Sequence, residues 1–191
     1  SLRFSQVSDL IQHDLRCSRV MDIPPRILAH SIYIESFKMY REIHPKELLK
    51  CPWTKADRSL APTVRKMSDH FNALCQFVAK EILLSPGEKS RNEMFTFFLK
   101  VAISLYEFGD ILSLAGVHGG LTHYTVARLD GIKKFQKILK KKSEGGKKKK
   151  VAEIFEKMLF LFDPSANNKA YRQYWDQVDS AVPSVPYLAN H

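Results

Sequence analysis

The stretch PTVRKMSDHFNALCQFVAKEILLSP, residues 62–86, decides the fold. Its apolar residues Val64, Met67, Phe71, Leu74, Cys75, Val78 and Ile82 recur every three or four positions, the spacing that gathers side chains into one stripe of an α-helix. Pro62 stands at the first turn, where a helix tolerates proline, and Pro86 closes the pattern. Downstream, Phe95, Phe98, Leu99, Ala102, Leu105 and Tyr106 make a second stripe, which continues through Phe108, Ile111, Leu112 and Ala115 after a break near Gly109. Three more follow: Leu129, Ile132, Phe135 and Leu139; Val151, Ile154, Phe155, Met158, Leu159 and Phe162; Tyr171, Tyr174, Trp175 and Val178. Upstream, Pro24-Pro25 opens a helix carrying Ile27, Ile34 and Phe37. No segment alternates with period two, so the sequence predicts an all-α fold.

Turn chemistry marks breaks at Ser85-Pro86-Gly87-Glu88, Val117-His118-Gly119-Gly120, Ser143-Glu144-Gly145-Gly146 and Asp163-Pro164-Ser165. None is long enough for a domain linker, and 191 residues suit one domain, 1–191. With 45% hydrophobic and 26% charged residues the chain is neither disordered nor fibrous. No apolar run of 18 residues exists to span a membrane. The start, Ser1-Leu2-Arg3-Phe4, has no signal core and no initiator Met, and reads as an excerpt of a longer chain. Cys17, Cys51 and Cys75 are dispersed, which fits reduced thiols and a cytoplasmic setting.

The net charge of +10 is local. Ten lysines and one acid, Glu144, lie between Lys133 and Lys150. Three readings are open for this lysine-rich loop, 140–150: a solvated connection, attraction to an anionic membrane surface, or nucleic-acid binding. The membrane reading would use Lys140, Lys141, Lys142, Lys147, Lys148, Lys149 and Lys150 and recruit the protein to a membrane. Nucleic-acid binding ranks last, because Phe135 is the only aromatic in the run and it continues an apolar stripe.

Covalent chemistry finds no support. His118 and His123 lack partner Cys or carboxylates at ligand spacing, so neither metal nor cofactor is expected. Gly145-Gly146-Lys147-Lys148 lacks the first Gly, the Ser/Thr and the preceding strand of a phosphate loop. There is no G-x-S-x-G.

Several phrases, taken in order, resemble the catalytic domain of Ras-type guanine-nucleotide exchange factors (RasGEF). Ile27-Leu28-Ala29-His30-Ser31-Ile32-Tyr33-Ile34-Glu35-Ser36-Phe37, then Ile43-His44-Pro45-Lys46-Glu47-Leu48-Leu49 and Trp53, is similar to the family's opening helix and its "I-x-P-x-E-L-L" phrase. Phe71-Asn72-Ala73-Leu74 with Val78 and Ile82-Leu83, and Arg91, Phe95, Phe98-Leu99 and Val101-Ala102, resemble two further helices. Leu121-Thr122-His123-Tyr124-Thr125-Val126-Ala127-Arg128-Leu129 resembles "L-x-S-x-x-V-x-R-L", and Asn168, Tyr171-Arg172, Pro183, Val185, Pro186, Tyr187 and Leu188 resemble the "N-x-x-Y-R … P-x-V-P-Y-L" ending. The match runs from about residue 20 to the C-terminus. Where the family has an Asn-aromatic pair the chain has Gly109-Asp110-Ile111, and the Gly after the last phrase is Ala189.

The resemblance implies an irregular multi-helix bowl that binds switch II of a Ras-family small GTPase and promotes GDP release. The alternative it leaves open is a non-catalytic GTPase-binding or adaptor domain. It implies contacts through Val64, Ser68, Phe71, Thr122, His123, Tyr124 and Tyr187, with Arg128 pairing inside the bowl. It places the hairpin that opens the nucleotide site beyond His191, so no catalytic residue is assigned within the chain. Acting by differential binding, without a covalent bond, such a protein is expected not to be an enzyme.

Overall fold

The computed structural model describes residues 19–49, 52–55, 57–141, 149–179 and 183–188. Among these, eight α-helices account for most of the chain and no strand occurs, as the periodicity predicts. α1 (Pro25–Arg41) has proline at its first position. It buries Leu28, Ala29, Ile32, Ser36 and Met39, while Ile27 and Ile34 face solvent. Of the stripe seen in the sequence, Phe37 packs against the buried cluster around Met39 and Met67, whereas Ile27 and Ile34 lie one face away from the core. α2 (Pro62–Leu84) buries Val64, Met67, Leu74, Val78, Ala79 and Ile82. No side chain caps α2 from its own N-terminal residue. The Glu47 carboxylate, on a 3-10 turn at Pro45–Leu48, accepts from the backbone N–H of Thr63 (2.8 Å) and Val64 (3.1 Å) instead. Gly87, with φ +73°, turns the chain into α3 (Gly87–Glu107).

α3 is the central helix. It buries Phe95, Phe98, Leu99, Val101, Ala102 and Leu105 and packs on α1, α2, α4, α6 and α7. Phe95 takes Phe135 and Phe155 edge-on at 5.9 and 5.7 Å, so Phe135 of the lysine-rich region is a packing residue.

α4 (Ile111–Leu121) overturns one expectation. The turn chemistry at Val117-His118-Gly119-Gly120 is interior to this helix. The glycines serve close approach rather than chain reversal. A Cβ on Gly120 would stand 2.5 Å from the Val78 Cβ and 2.8 Å from the Cys75 carbonyl oxygen; one on Gly119 would stand 2.7 Å from the Cys75 Sγ. α4 lies against α2 through this bare edge.

Beyond it come α5 (Tyr124–Ala127), α6 (Asp130–Lys141), α7 (Lys149–Leu161) and α8 (Ser165–Trp175). α8 begins with a left-handed turn, Ala166, Asn167 and Asn168 all having φ of 50–56°. Its following right-handed part buries Tyr171, on which Trp175 stacks at 6.3 Å. Among the described residues no helix is long and apolar enough to cross a membrane.

Candidate functional site

Residues 183–188 form a strap that crosses the helices near α1, α2 and α4. Val185 is its anchor. The Val185 N–H donates to the Gly109 carbonyl (2.9 Å), and the Val185 carbonyl accepts from Ile111 (2.9 Å) and Leu112 (3.3 Å). Gly109 is required here twice over: its φ is +72°, and a Cβ would lie 2.7 Å from the Ser184 Oγ. The Tyr33 hydroxyl donates to the Pro183 carbonyl at 3.3 Å. At the other end, the Tyr187 N–H donates to the Tyr171 hydroxyl oxygen at 2.8 Å.

These bonds fix the Tyr187 ring. It stacks on Phe71 of α2 at 5.2 Å and takes Phe162 and Tyr171 edge-on at 6.2 and 6.4 Å. The ring is half-buried, and burial with the neighbouring Cys75 raises its pKa above the usual phenol value. Burial pushes the Cys75 thiol up to about 11 and also raises Tyr171, so none of these groups ionises near neutral pH. The cluster is aromatic and uncharged at neutral pH, and neither its thiol nor its phenols are activated as nucleophiles.

The residues singled out by resemblance are spread over this region. Val64, Ser68 and Phe71 fall on one face of α2 by helical spacing. Val64 is buried beneath its turn, Ser68 is exposed with its hydroxyl donating to the Val64 carbonyl (3.1 Å), and Phe71 is half-buried under Tyr187. At the end of α4 the Thr122 hydroxyl donates to the His118 carbonyl at 2.8 Å. His123 Nδ1 and the Thr125 hydroxyl are 2.7 Å apart. Tyr124 is 64% exposed, with its ring 4.7 Å from His123. Phe71 and Tyr187 are thus in direct contact, while Thr122, His123 and Tyr124 stand where α5 meets α2.

Arg128 departs from expectation: it is exposed, its guanidinium 5.5 Å from the Tyr124 ring centre. α5 is only four residues long and ends at the surface, so Arg128 has no interior to pair in.

Asp110, which the sequence left unassigned, adjoins the strap. It is completely buried at the head of α4. Its carboxylate accepts from the Ser36 hydroxyl (2.6 Å) and the Ser113 N–H (3.0 Å). Burial pushes its pKa up to about 6, against those hydrogen bonds, which lower it. The signal was the Asp placed three residues before Ser113, a helix-capping spacing.

Of the lysines in the membrane reading, Lys142, Lys147 and Lys148 lie outside the described residues. Lys140 and Lys141 fall in the last turn of α6, and Lys149 opens α7. Lys150 is exposed, as are Lys133, Lys134 and Lys137 on the outer face of α6. Among the described residues no cluster of three or more His, Cys, Asp or Glu could hold a metal ion.

The helices, the strap and its aromatic anchor make up one helical module. The family model of the RasGEF domain matches residues 27–191, and the chain belongs to that family. It is 31% identical over 170 residues to the mouse Ras-specific guanine nucleotide-releasing factor RalGPS1, covering 88% of this chain and 27% of that protein. It is 28% identical over 173 residues to Ras guanine nucleotide exchange factor A of Dictyostelium discoideum (90% and 26%), and 28% identical over 170 residues to human RalGPS2 (88% and 27%). The chain spans about a quarter of the length of these relatives.

Their names correct the expectation that the chain is not an enzyme. A nucleotide-releasing factor accelerates a reaction and is returned unchanged, which is catalysis whether or not a covalent bond forms. Lack of covalent chemistry was too narrow a test.

Proposed function

We propose that this domain is a guanine-nucleotide exchange factor for a Ras-family small GTPase. The observation that carries the reading is Tyr187, held by a hydrogen-bonded strap against Phe71, beside the exposed Ser68 turn of α2. An aromatic fixed in this way needs little further ordering to bind, which favours a hot-spot role. The switch II segment of the GTPase would lie along α2 and meet Tyr187, with Thr122, His123 and Tyr124 flanking it.

The mechanism is linkage. A factor that binds the nucleotide-free GTPase more tightly than the nucleotide-bound form lowers nucleotide affinity by the same ratio. The domain supplies shape and apolar contact, and no bond is made or broken in it. A direct test is affinity for nucleotide-free against GDP-bound forms of a panel of Ras-family GTPases. The reading expects preference for the nucleotide-free form, weakened at least tenfold in Tyr187→Ala. Equal affinity for both forms would make this an adaptor, and no binding to any would refute the reading.

Membrane recruitment through the lysine-rich region is a second part of the reading. Its support is the outer face of α6, where exposed Lys133, Lys134 and Lys137 adjoin the sequence run that continues to Lys150. Each lysine near an anionic surface contributes about 1 kcal/mol, screened by salt. Binding to phosphatidylserine vesicles should fall in high salt and on replacing Lys140–Lys142 and Lys147–Lys150 by Gln; salt-independent binding would exclude it.

A further inference from the structure

We propose that Asp110 is a positioning residue whose proton occupancy sets how firmly the strap bearing Tyr187 is docked. Asp110 joins three elements at one point. Its carboxylate takes the Ser36 hydroxyl from α1 and the Ser113 N–H from α4. Its own backbone lies between Gly109 and Ile111, both of which pair with Val185 of the strap. Val185 and Asp110 are both wholly buried, so the strap and α1 close over the carboxylate together.

What faces Asp110 is almost entirely neutral. From α1 come Ser36 and Tyr33, whose own phenol pKa is raised mainly by burial and secondarily by the Asp110 charge. From α4 comes Ser113, and from the strap the apolar Val185. The last charged residue of α3, Glu107, is exposed and engaged with Arg26 at 2.6 Å. Asp110 forms no ion pair with any described Lys, Arg or His. A buried carboxylate without a counter-charge prefers to be neutral, because burial penalises the charged form.

The sign follows. With the strap docked, Asp110 holds its proton to about pH 6; with the strap lifted and the group in water it returns toward the ordinary 3.8. The docked state therefore takes up a proton that the lifted state does not as pH falls below 6. Docking is weakest at neutral pH and firmer in mild acid. One proton bound with a docked pKa of about 6 shifts the docked-to-lifted ratio by about tenfold between pH 7.5 and pH 5.

The test reads the strap itself. Amide hydrogen-exchange protection of Ile111, Leu112 and Val185, normalised to intrinsic exchange rates, is followed from pH 7.5 to pH 5. It is followed in the native protein, Asp110→Asn and Ser36→Ala, with the α3 amides as reference. Native protection should rise about tenfold toward pH 5. Asp110→Asn keeps an oxygen for the Ser113 N–H and turns an amide N–H toward the Ser36 Oγ, the pattern of the protonated acid, and has no charge, so its protection should be flat and close to the native acidic value. Ser36→Ala removes a hydrogen bond that favours the charged form, so the rise should begin at higher pH. A native profile without pH dependence overturns the proposal, as does an unchanged rise in Asp110→Asn.

The link to Tyr187 rests on the exchange-factor reading. GTPase affinity measured on the same samples separates the two. Absence of GTPase binding throughout would sink that reading while leaving the strap result standing. Tight GTPase binding with a pH-insensitive strap would sink the Asp110 proposal alone.

Discussion

Replacing Gly120 by Ala puts a methyl group where α4 has none to spare. The new carbon would lie 2.5 Å from the Val78 Cβ and 2.8 Å from the Cys75 carbonyl oxygen. Carbon atoms in contact sit about 3.5–4.0 Å apart, so α2 and α4 must separate by about 1 Å. Neither obstacle can swing aside, because one is backbone and the other the root of a β-branched side chain. Overpacking costs about 1–3 kcal/mol, and with two immovable obstacles under 3 Å the upper part of that range, about 2–3 kcal/mol, applies; the better helix propensity of Ala returns about 1 kcal/mol. The net loss is about 1–2 kcal/mol, or about 2–8 °C in Tm for a domain of this size. Gly116→Ala is the control. The three atoms nearest its Cβ all belong to the Leu74 side chain, at 3.0–3.3 Å, so a few tenths of an ångström of movement relieves them and stability should stay within about 1 kcal/mol of the parent. Thermal and urea unfolding of both variants decide the matter. The shift in α2 also carries Phe71 away from Tyr187, so Gly120→Ala should weaken GTPase binding although it touches no partner. If Gly120→Ala were as stable as the parent, the account of α2–α4 packing would be wrong.

Other outcomes follow from the same contacts. Tyr171→Phe keeps the ring but removes the acceptor of the Tyr187 N–H, and should cost about 1–3 kcal/mol, with faster amide exchange at Tyr187. Glu47→Ala removes the carboxylate that caps α2 and should cost about 1 kcal/mol by urea unfolding at pH 7. Burial raises the Glu47 pKa, but the hydrogen bonds from Val64 and Thr63 outweigh it and hold the group below its ordinary 4.5. Its contribution is therefore complete above that value and lost as pH falls through the lower, folded one. The stability gap between parent and variant should close in that acid range. A gap that persisted when Glu47 is protonated would refute the capping role.

Periodicity alone carried the helices, because each buries one stripe, and the buried residues of α2 and α3 follow it closely. It misled where local chemistry has two uses. Gly119 and Gly120 read as a turn in one dimension, yet in the fold they are the bare side of a helix pressed on Cys75 and Val78. Ile27 and Ile34 read as core, but α1 is rotated so that Leu28 and Ile32 take that place. Tyr187 was legible only through its family phrase. The strap that fixes it pairs residue 185 with residues 109, 111 and 112, a long-range contact that spacing cannot encode. Asp110 appeared as a departure from the family pattern; that it is buried without a counter-charge is visible only in three dimensions.

The most direct measurement is release of fluorescent GDP from Ras-family GTPases with the protein and with Tyr187→Ala. The account predicts that the protein accelerates release from at least one GTPase. Tyr187→Ala should then lose about 30-fold or more, the equivalent of about 2 kcal/mol for an anchoring aromatic. Release at the intrinsic rate across the panel, or acceleration indifferent to Tyr187, would contradict it.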